Sequence, residues 1–192
     1  MYGKQSIVIK GYTGATFQPL RISPALYSLI SITHLQNALY EGNAYSHTQR
    51  TAVNAFDIAA PISYLITTPN TLVRALLLIK GDADLTAYWE LFENTGVIGE
   101  FNVSGGVAAV PINRNRNSSN TSTLTITTSP TITAATAAAL IATGAIGWAS
   151  SGEELQGYLL KQNTKYLVRA TSYSDNNEGS LSISWDERTL LE

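Results

Sequence analysis

Apolar residues recur along this chain with a period of two rather than 3.6. Leu85, Ala87, Trp89 and Leu91 alternate with Thr86, Tyr88, Glu90 and Phe92, which predicts a strand with an aliphatic face and an amphipathic aromatic face. Leu124 and Ile126 alternate with Thr123, Thr125 and Thr127, and Leu181, Ile183 and Trp185 alternate with Ser180, Ser182, Ser184 and Asp186. β-Branched and aromatic residues favour that half-buried extended state. Further strands are expected over Ser6 to Lys10, Ser28 to Thr33, Ile62 to Thr67, Val73 to Lys80, Leu155 to Leu160 and Lys165 to Thr171. Turn residues fall between them: Thr68-Pro69-Asn70, Gly81-Asp82-Ala83-Asp84, Asn94-Thr95-Gly96, Gly105-Gly106, Gln162-Asn163-Thr164 and Asp175 to Gly179. Only Leu35 to Glu41 and Ala134 to Ala142 have a helical composition.

Short strands at this spacing predict an all-β fold, an antiparallel β-sandwich or jelly-roll-like domain, with an extended N-terminal arm. The arm covers residues 1–33, where Gly11, Gly14, Pro19 and Pro24 interrupt short apolar runs. The body covers 34–192, with its sandwich strands expected between about 50 and 190 and Trp89, Leu91, Leu124, Ile126, Ile183 and Trp185 in its core. Near 113–121 it carries an unusually polar loop containing Arg114 and Arg116.

Composition narrows the function. The chain has 192 residues, formal net charge −2, no cysteine, and 14% charged residues, against about 25% in ordinary soluble domains. Its polar surface therefore comes from Ser, Thr, Asn and Gln, whose burial with a partner costs far less than that of a charge. That composition suits a protein packed against other subunits. Twelve Lys and Arg against 14 Asp and Glu argue against a broad grip on phosphate backbones, so no nucleic-acid partner is expected. Without cysteine there is no thiolate nucleophile and no CxxC-type zinc site. No charge occurs from Asn117 to Gly152, yet Thr131, Thr133, Thr136, Thr143, Gly144 and Gly147 dilute and break the run. It reads as an Ala-rich piece covered by a neighbouring strand or subunit, and no membrane partner is expected. Only Ile7-Val8-Ile9 follows the first few residues as an apolar run, too short for a secretory signal core.

The chemistry-bearing residues form no catalytic set. His34 and His47 lack HExxH or His-x-His spacing and read as structural residues. No GxSxG, SxxK or GxxxxGK[ST] motif is present. Glu90 and Glu93, three apart on a strand, point to opposite faces and cannot act on one bond. Asp82-Ala83-Asp84 lacks the rest of a calcium loop. The expectation is no enzyme, no catalytic residue, no cofactor and no metal site.

Arg114 and Arg116 stand apart. Two residues apart in an extended loop, they would project the same way and clamp a carboxylate or a phosphate, while Asn113, Asn115 and Asn117 brace the backbone. A freely solvated loop is the competing reading. These five residues and Trp148, flanked by Gly147 and Ala149, are the candidate interface.

Several segments together resemble tailed-bacteriophage virion structural proteins of the head decoration or cement type. They are Thr33 to Tyr45, Leu65 to Thr71, Asn113 to Ser118, Leu160 to Arg169 and Leu181 to Glu187. The resemblance implies a non-enzymatic component of the capsid surface, made in the host cytoplasm, that stabilises the lattice by non-covalent contacts. Its implied partners are the major capsid protein and other copies of itself, as a trimer or another homo-oligomer. A glycan-binding module of a tail fibre or spike, and a tail or connector ring subunit, are the alternatives.

Overall fold

A computed structural model describes residues 10–12, 17–19, 34–94, 101–135, 140–147 and 157–189. Strands β1 (Lys10–Tyr12) and β2 (Phe17–Pro19) pair with each other, and helix α1 (His34–Glu41) leads into the body. The body strands are β3 (Ala44–Arg50), β4 (Ile62–Thr67), β5 (Val73–Ala83), β6 (Ala87–Glu93), β7 (Phe101–Ser104), β8 (Val107–Ala109) and β9 (Ile112–Asn113), followed by β10 (Thr125–Thr128), β11 (Thr131–Ala135), β12 (Leu140–Ile146), β13 (Tyr158–Leu159), β14 (Lys165–Ser172) and β15 (Gly179–Thr189). A six-stranded sheet in the order β12-β6-β14-β4-β10-β8 packs on a five-stranded sheet in the order β13-β5-β15-β3-β9. Every ladder between them is antiparallel, and the fold is the all-β sandwich that the alternation predicts. Strands β7 and β11 form a separate two-stranded ladder.

The core lies between the two sheets. Trp89, Leu91, Leu124, Ile126, Ile183 and Trp185 are all buried in it, as their alternation requires, together with Tyr64, Tyr166 and Phe56. Each fully buried large side chain contributes about 1.5 to 3 kcal/mol. His47 donates or accepts a hydrogen bond at 3.2 Å with the Tyr64 hydroxyl, which itself donates to the Leu181 carbonyl at 2.9 Å. Because that hydroxyl has given its own proton to Leu181, the imidazole Nδ1 is the donor. Burial pushes the His47 pKa down from 6.5. The structural role expected of this histidine is the one it has.

On the outer face of the six-stranded sheet, Glu90 and Arg169 sit directly opposite in the β6–β14 register, and Arg169 Nη2 donates to Glu90 at 2.8 Å. The same guanidinium lies 5.1 Å above the Phe92 ring. Glu93 instead accepts from the Tyr166 hydroxyl at 2.9 Å and ion-pairs with Lys161. The two glutamates are therefore separate, as strand geometry requires.

Four sequence expectations change. The helix expected over Ala134 to Ala142 is absent from the described part of that segment: Thr131–Ala135 and Leu140–Ile146 are strands, with 136–139 outside the described residues. Alanine's helix propensity is overridden because β12 completes the edge of β6, Thr143 Oγ1 donating to the Trp89 carbonyl at 2.9 Å. Gly144 passes the Trp89 indole at a distance that leaves no room for a Cβ. Gly81-Asp82-Ala83 is the end of β5 rather than a turn, paired with Leu181, Ser180 and Gly179, with Gly81 close beneath Ile146. Ala44 to Arg50, expected to precede the strands, forms β3 between β15 and β9. Finally, of the strand expected over Leu155 to Leu160, Leu155 and Gln156 lie outside the described residues and Tyr158–Leu159 is the part that forms a strand. The strand expected over Ser28 to Thr33 and all but Lys10 of that over Ser6 to Lys10 lie outside the described residues, as does most of the arm over 1–33.

Candidate functional site

The polar loop between β9 and β10 sits at the end of the sandwich where α1 joins it. Helix α1 stops at Gly42, whose φ of 74° only glycine adopts cheaply. The Asn43 N–H donates to the Ala38 carbonyl at 2.9 Å and the Gly42 N–H to Leu39 at 3.1 Å, the double pairing of a glycine-terminated helix. Three carbonyls at the terminus remain, and none of the last-turn residues is basic.

The loop supplies the missing donors. Asn115 Nδ2 donates to Tyr40 O at 3.1 Å, Asn120 Nδ2 to Glu41 O at 3.2 Å, and Asn113 Nδ2 to Gly42 O at 2.8 Å. Each amide binds one successive carbonyl. The same side chains also order the loop itself: Asn113 Oδ1 accepts from the Asn115 N–H at 2.9 Å and Asn115 Oδ1 from the Asn117 N–H at 3.1 Å. Asn113 Nδ2 reaches the Asn120 carbonyl at 3.0 Å, closing the loop across its base. Every-other-residue asparagine is thus a brace for this segment and a cap for the helix at once.

The far end of the loop is anchored by Glu187, a buried carboxylate with no ion pair among the described residues. It accepts from the Thr123 N–H at 2.9 Å, Thr123 Oγ1 at 2.6 Å, the Trp185 indole N–H at 3.0 Å and the Ser122 hydroxyl. Tyr45 stacks on Trp185 with ring centroids 5.9 Å apart. Burial, and then the Glu187 charge, raise the Tyr45 pKa.

Between these anchors Arg114 and Arg116 are exposed, and among the described residues neither guanidinium has a hydrogen bond or ion pair. Strand β9 ends at Asn113, and Arg114, at a bend, still donates its N–H to the Ala44 carbonyl at 2.9 Å. Arg116 and Asn117 form the corner of a turn closed by the Ser118 N–H on the Asn115 carbonyl at 3.0 Å. The extended backbone expected for both arginines therefore ends before either of them, and strand alternation does not set their relative direction. Asn117 contributes its N–H to the brace. Trp148, the sixth candidate, lies outside the described residues.

Alternation of Asn and Arg flagged the loop, but not Asn120, Gly42 or Glu187. Glycine directly after a helical run is the signal that points to Gly42. Among the described residues no group of three His, Asp or Glu side chains is placed to hold a metal ion, and no helix is long and apolar enough to cross a membrane. No family model, no curated protein and no solved structure matches this chain.

Proposed function

We propose that this chain is a structural protein of a tailed-phage virion, a decoration or cement protein that binds the outside of the capsid lattice and stabilises it without catalysing any step. The observation that carries this reading is the pair Arg114 and Arg116, two guanidiniums without a partner among the described residues on a loop fixed at both ends. A loop ordered before docking loses little conformational entropy when it binds, so its charge-assisted bonds count toward affinity. The junction with residues 1–33 lies at this same end of the sandwich through α1, so an N-terminal arm and the arginine loop would engage one neighbour together. Repetition over a symmetric shell turns several weak contacts per copy into avidity.

The test is occupancy on purified capsids through a heating series, comparing wild type with Arg114→Ala/Arg116→Ala. The variant should leave the particle at lower temperature while its isolated melt is unchanged. Equal occupancy at every temperature would remove the arginine loop from the interface.

A further inference from the structure

The end of the sandwich opposite α1 is built from three connections, 51–61, 84–86 and 173–178, and the buried Asn177 ties them together. Its Oδ1 accepts from the Leu85 and Glu178 N–H groups, each at 2.9 Å, and its carbonyl accepts from the Phe56 N–H at 2.9 Å. Asp57 accepts from the Asn176 N–H at 2.7 Å and Asp175 from the Ile58 N–H at 3.3 Å, locking the tips of two connections to each other. Outward side chains here are held in fixed positions.

They are apolar and acidic. Val53, Ile58, Leu85 and Tyr173 are 71%, 53%, 48% and 64% exposed. Around them stand Asp57, Asp82, Asp84, Asp175 and Glu178, five acids against two nearby cations, Arg50, which is ion-paired to Glu178 and also feels Asp84 and Asp82, and Lys80, two residues before Asp82 on the same face of β5. The Asp82 and Asp84 side chains are exposed and have no hydrogen bond among the described residues.

Among the described residues the helix end carries a small excess of the opposite sign, Arg74, Arg114, Arg116, Lys161, Lys165 and Arg188 against Glu41, Glu93, Asp186 and Glu187. Its acids are largely engaged: Glu187 and Glu93 as above, Asp186 by Arg188 at 3.1 Å, and Glu41 by Asn37 at 2.7 Å. Arg114 and Arg116 are not. Arg114 sits at the level of Ala44 and Asp186, and Asp82 lies opposite Ser180, six residues away along β15; at about 3.4 Å per residue that is roughly 20 Å, more than twice the Debye length of about 8 Å at physiological salt. The two charge clusters are thus too far apart to pair within one chain.

We infer that copies of this chain associate head to tail, with the Arg114 and Arg116 loop of one copy seated on the acidic, apolar loop end of the next and its guanidiniums meeting Asp82 and Asp84. This rests on reading the arginine loop as an interface and names a second copy as one partner that it fits. The four exposed apolar side chains supply buried area, and the charges set orientation, since two acidic ends repel one another. Such a contact is heterologous, so it closes into a ring or grows as a column according to the rotation between copies.

Sedimentation velocity of the full chain tests this, at low ionic strength and at about 1 M salt, where the Debye length is about 3 Å. Wild type should associate in the first condition and dissociate in the second. Arg114→Glu/Arg116→Glu and Asp82→Lys/Asp84→Lys should each weaken association about tenfold or more, and an equimolar mixture of the two should restore it, because each then offers the other an opposite charge. Neutral versions, Arg114→Gln/Arg116→Gln and Asp82→Asn/Asp84→Asn, serve if a reversal fails to fold and should weaken association in the same order. A wild type that stays monomeric at low salt, a variant that associates like wild type, or a mixture no better than its components would overturn the inference. Capsid occupancy separates the two readings. If Arg114→Glu/Arg116→Glu leaves the particle while wild type is monomeric in solution and Asp82→Lys/Asp84→Lys binds normally, head-to-tail pairing fails and the arginine interface stands. If Arg114→Glu/Arg116→Glu keeps full occupancy, the arginine interface fails as well.

Discussion

The side-chain amide of Asn115 reaches the backbone carbonyl of Tyr40 at 3.1 Å, joining residues 75 positions apart. One asparagine thereby finishes a helix and fixes the loop that presents two arginines. Its neighbours Asn113 and Asn120 repeat the arrangement on the next carbonyls, so helix terminus and loop are a single hydrogen-bonded unit. Disturbing either disturbs both.

Gly42→Ala tests that unit. An added Cβ would overlap the Ser118 hydroxymethyl group, at a φ of 74° that alanine adopts only with strain. The expected loss is about 2 kcal/mol or more, or several degrees in Tm for a domain of this size. Adding Ser118→Gly removes the overlap but not the backbone strain, so thermal melts of the double variant should recover part of the loss. Full recovery would assign the whole effect to the clash.

Glu187→Ala should cost roughly 2 to 4 kcal/mol, because it leaves the Thr123 N–H and hydroxyl and the Ser122 hydroxyl without their acceptor and the Trp185 indole N–H with only the Ser122 oxygen at 3.2 Å. Denaturant titration measures the loss. Amide exchange at Thr123 should accelerate, and tryptophan fluorescence should shift as the Trp185 indole loses its charged partner.

Acid should weaken the fold through His47. Burial lowers its folded pKa below the ordinary value of 6.5, so between those two values the unfolded chain binds more protons than the folded one. The contribution of the neutral imidazole is complete above about pH 6.5 and is lost as pH falls toward the folded pKa. Chemical denaturation across that window should give a falling stability in wild type and a flatter profile in His47→Gln.

Removing residues 1–33 should leave a cooperative melt. Among the described residues, every member of the core cluster lies at Tyr45 or beyond. Calorimetry of a chain beginning at residue 34 should show one transition, with capsid occupancy reduced. A lost transition would make the arm part of the core.

Much of the sandwich was legible because one face of each principal strand is buried, and burial writes a period of two into the sequence. Trp89, Ile126 and Ile183 are examples. Strand β3 was not, since only Ala44 and Tyr45 of its seven residues are buried and its place is decided by β15 beside it. The Ala-rich stretch misled for the converse reason: alanine is locally suited to a helix, and only the Trp89 indole and the open edge of β6 make a strand of Leu140–Ile146. In the candidate site, the local Asn braces could be read from spacing two apart. Their contacts with Tyr40, Glu41 and Gly42 could not, because nothing in the loop encodes a helix terminus some 70 residues away.

Strand β15, the partner of both β5 and β3, also comes after every other described strand in chain order. Until it leaves the ribosome, β3 and β5 have no common neighbour, and the edge of each that faces β15 stays open. The five-stranded sheet therefore closes only after the strands that precede β15 have been made, and the long-range pairing of β15 with β3 makes folding slow for the size of the domain. A messenger cut short before the codons for Gly179–Thr189 would yield a product with open strand edges, bound for aggregation or proteolysis rather than for a partly working protein.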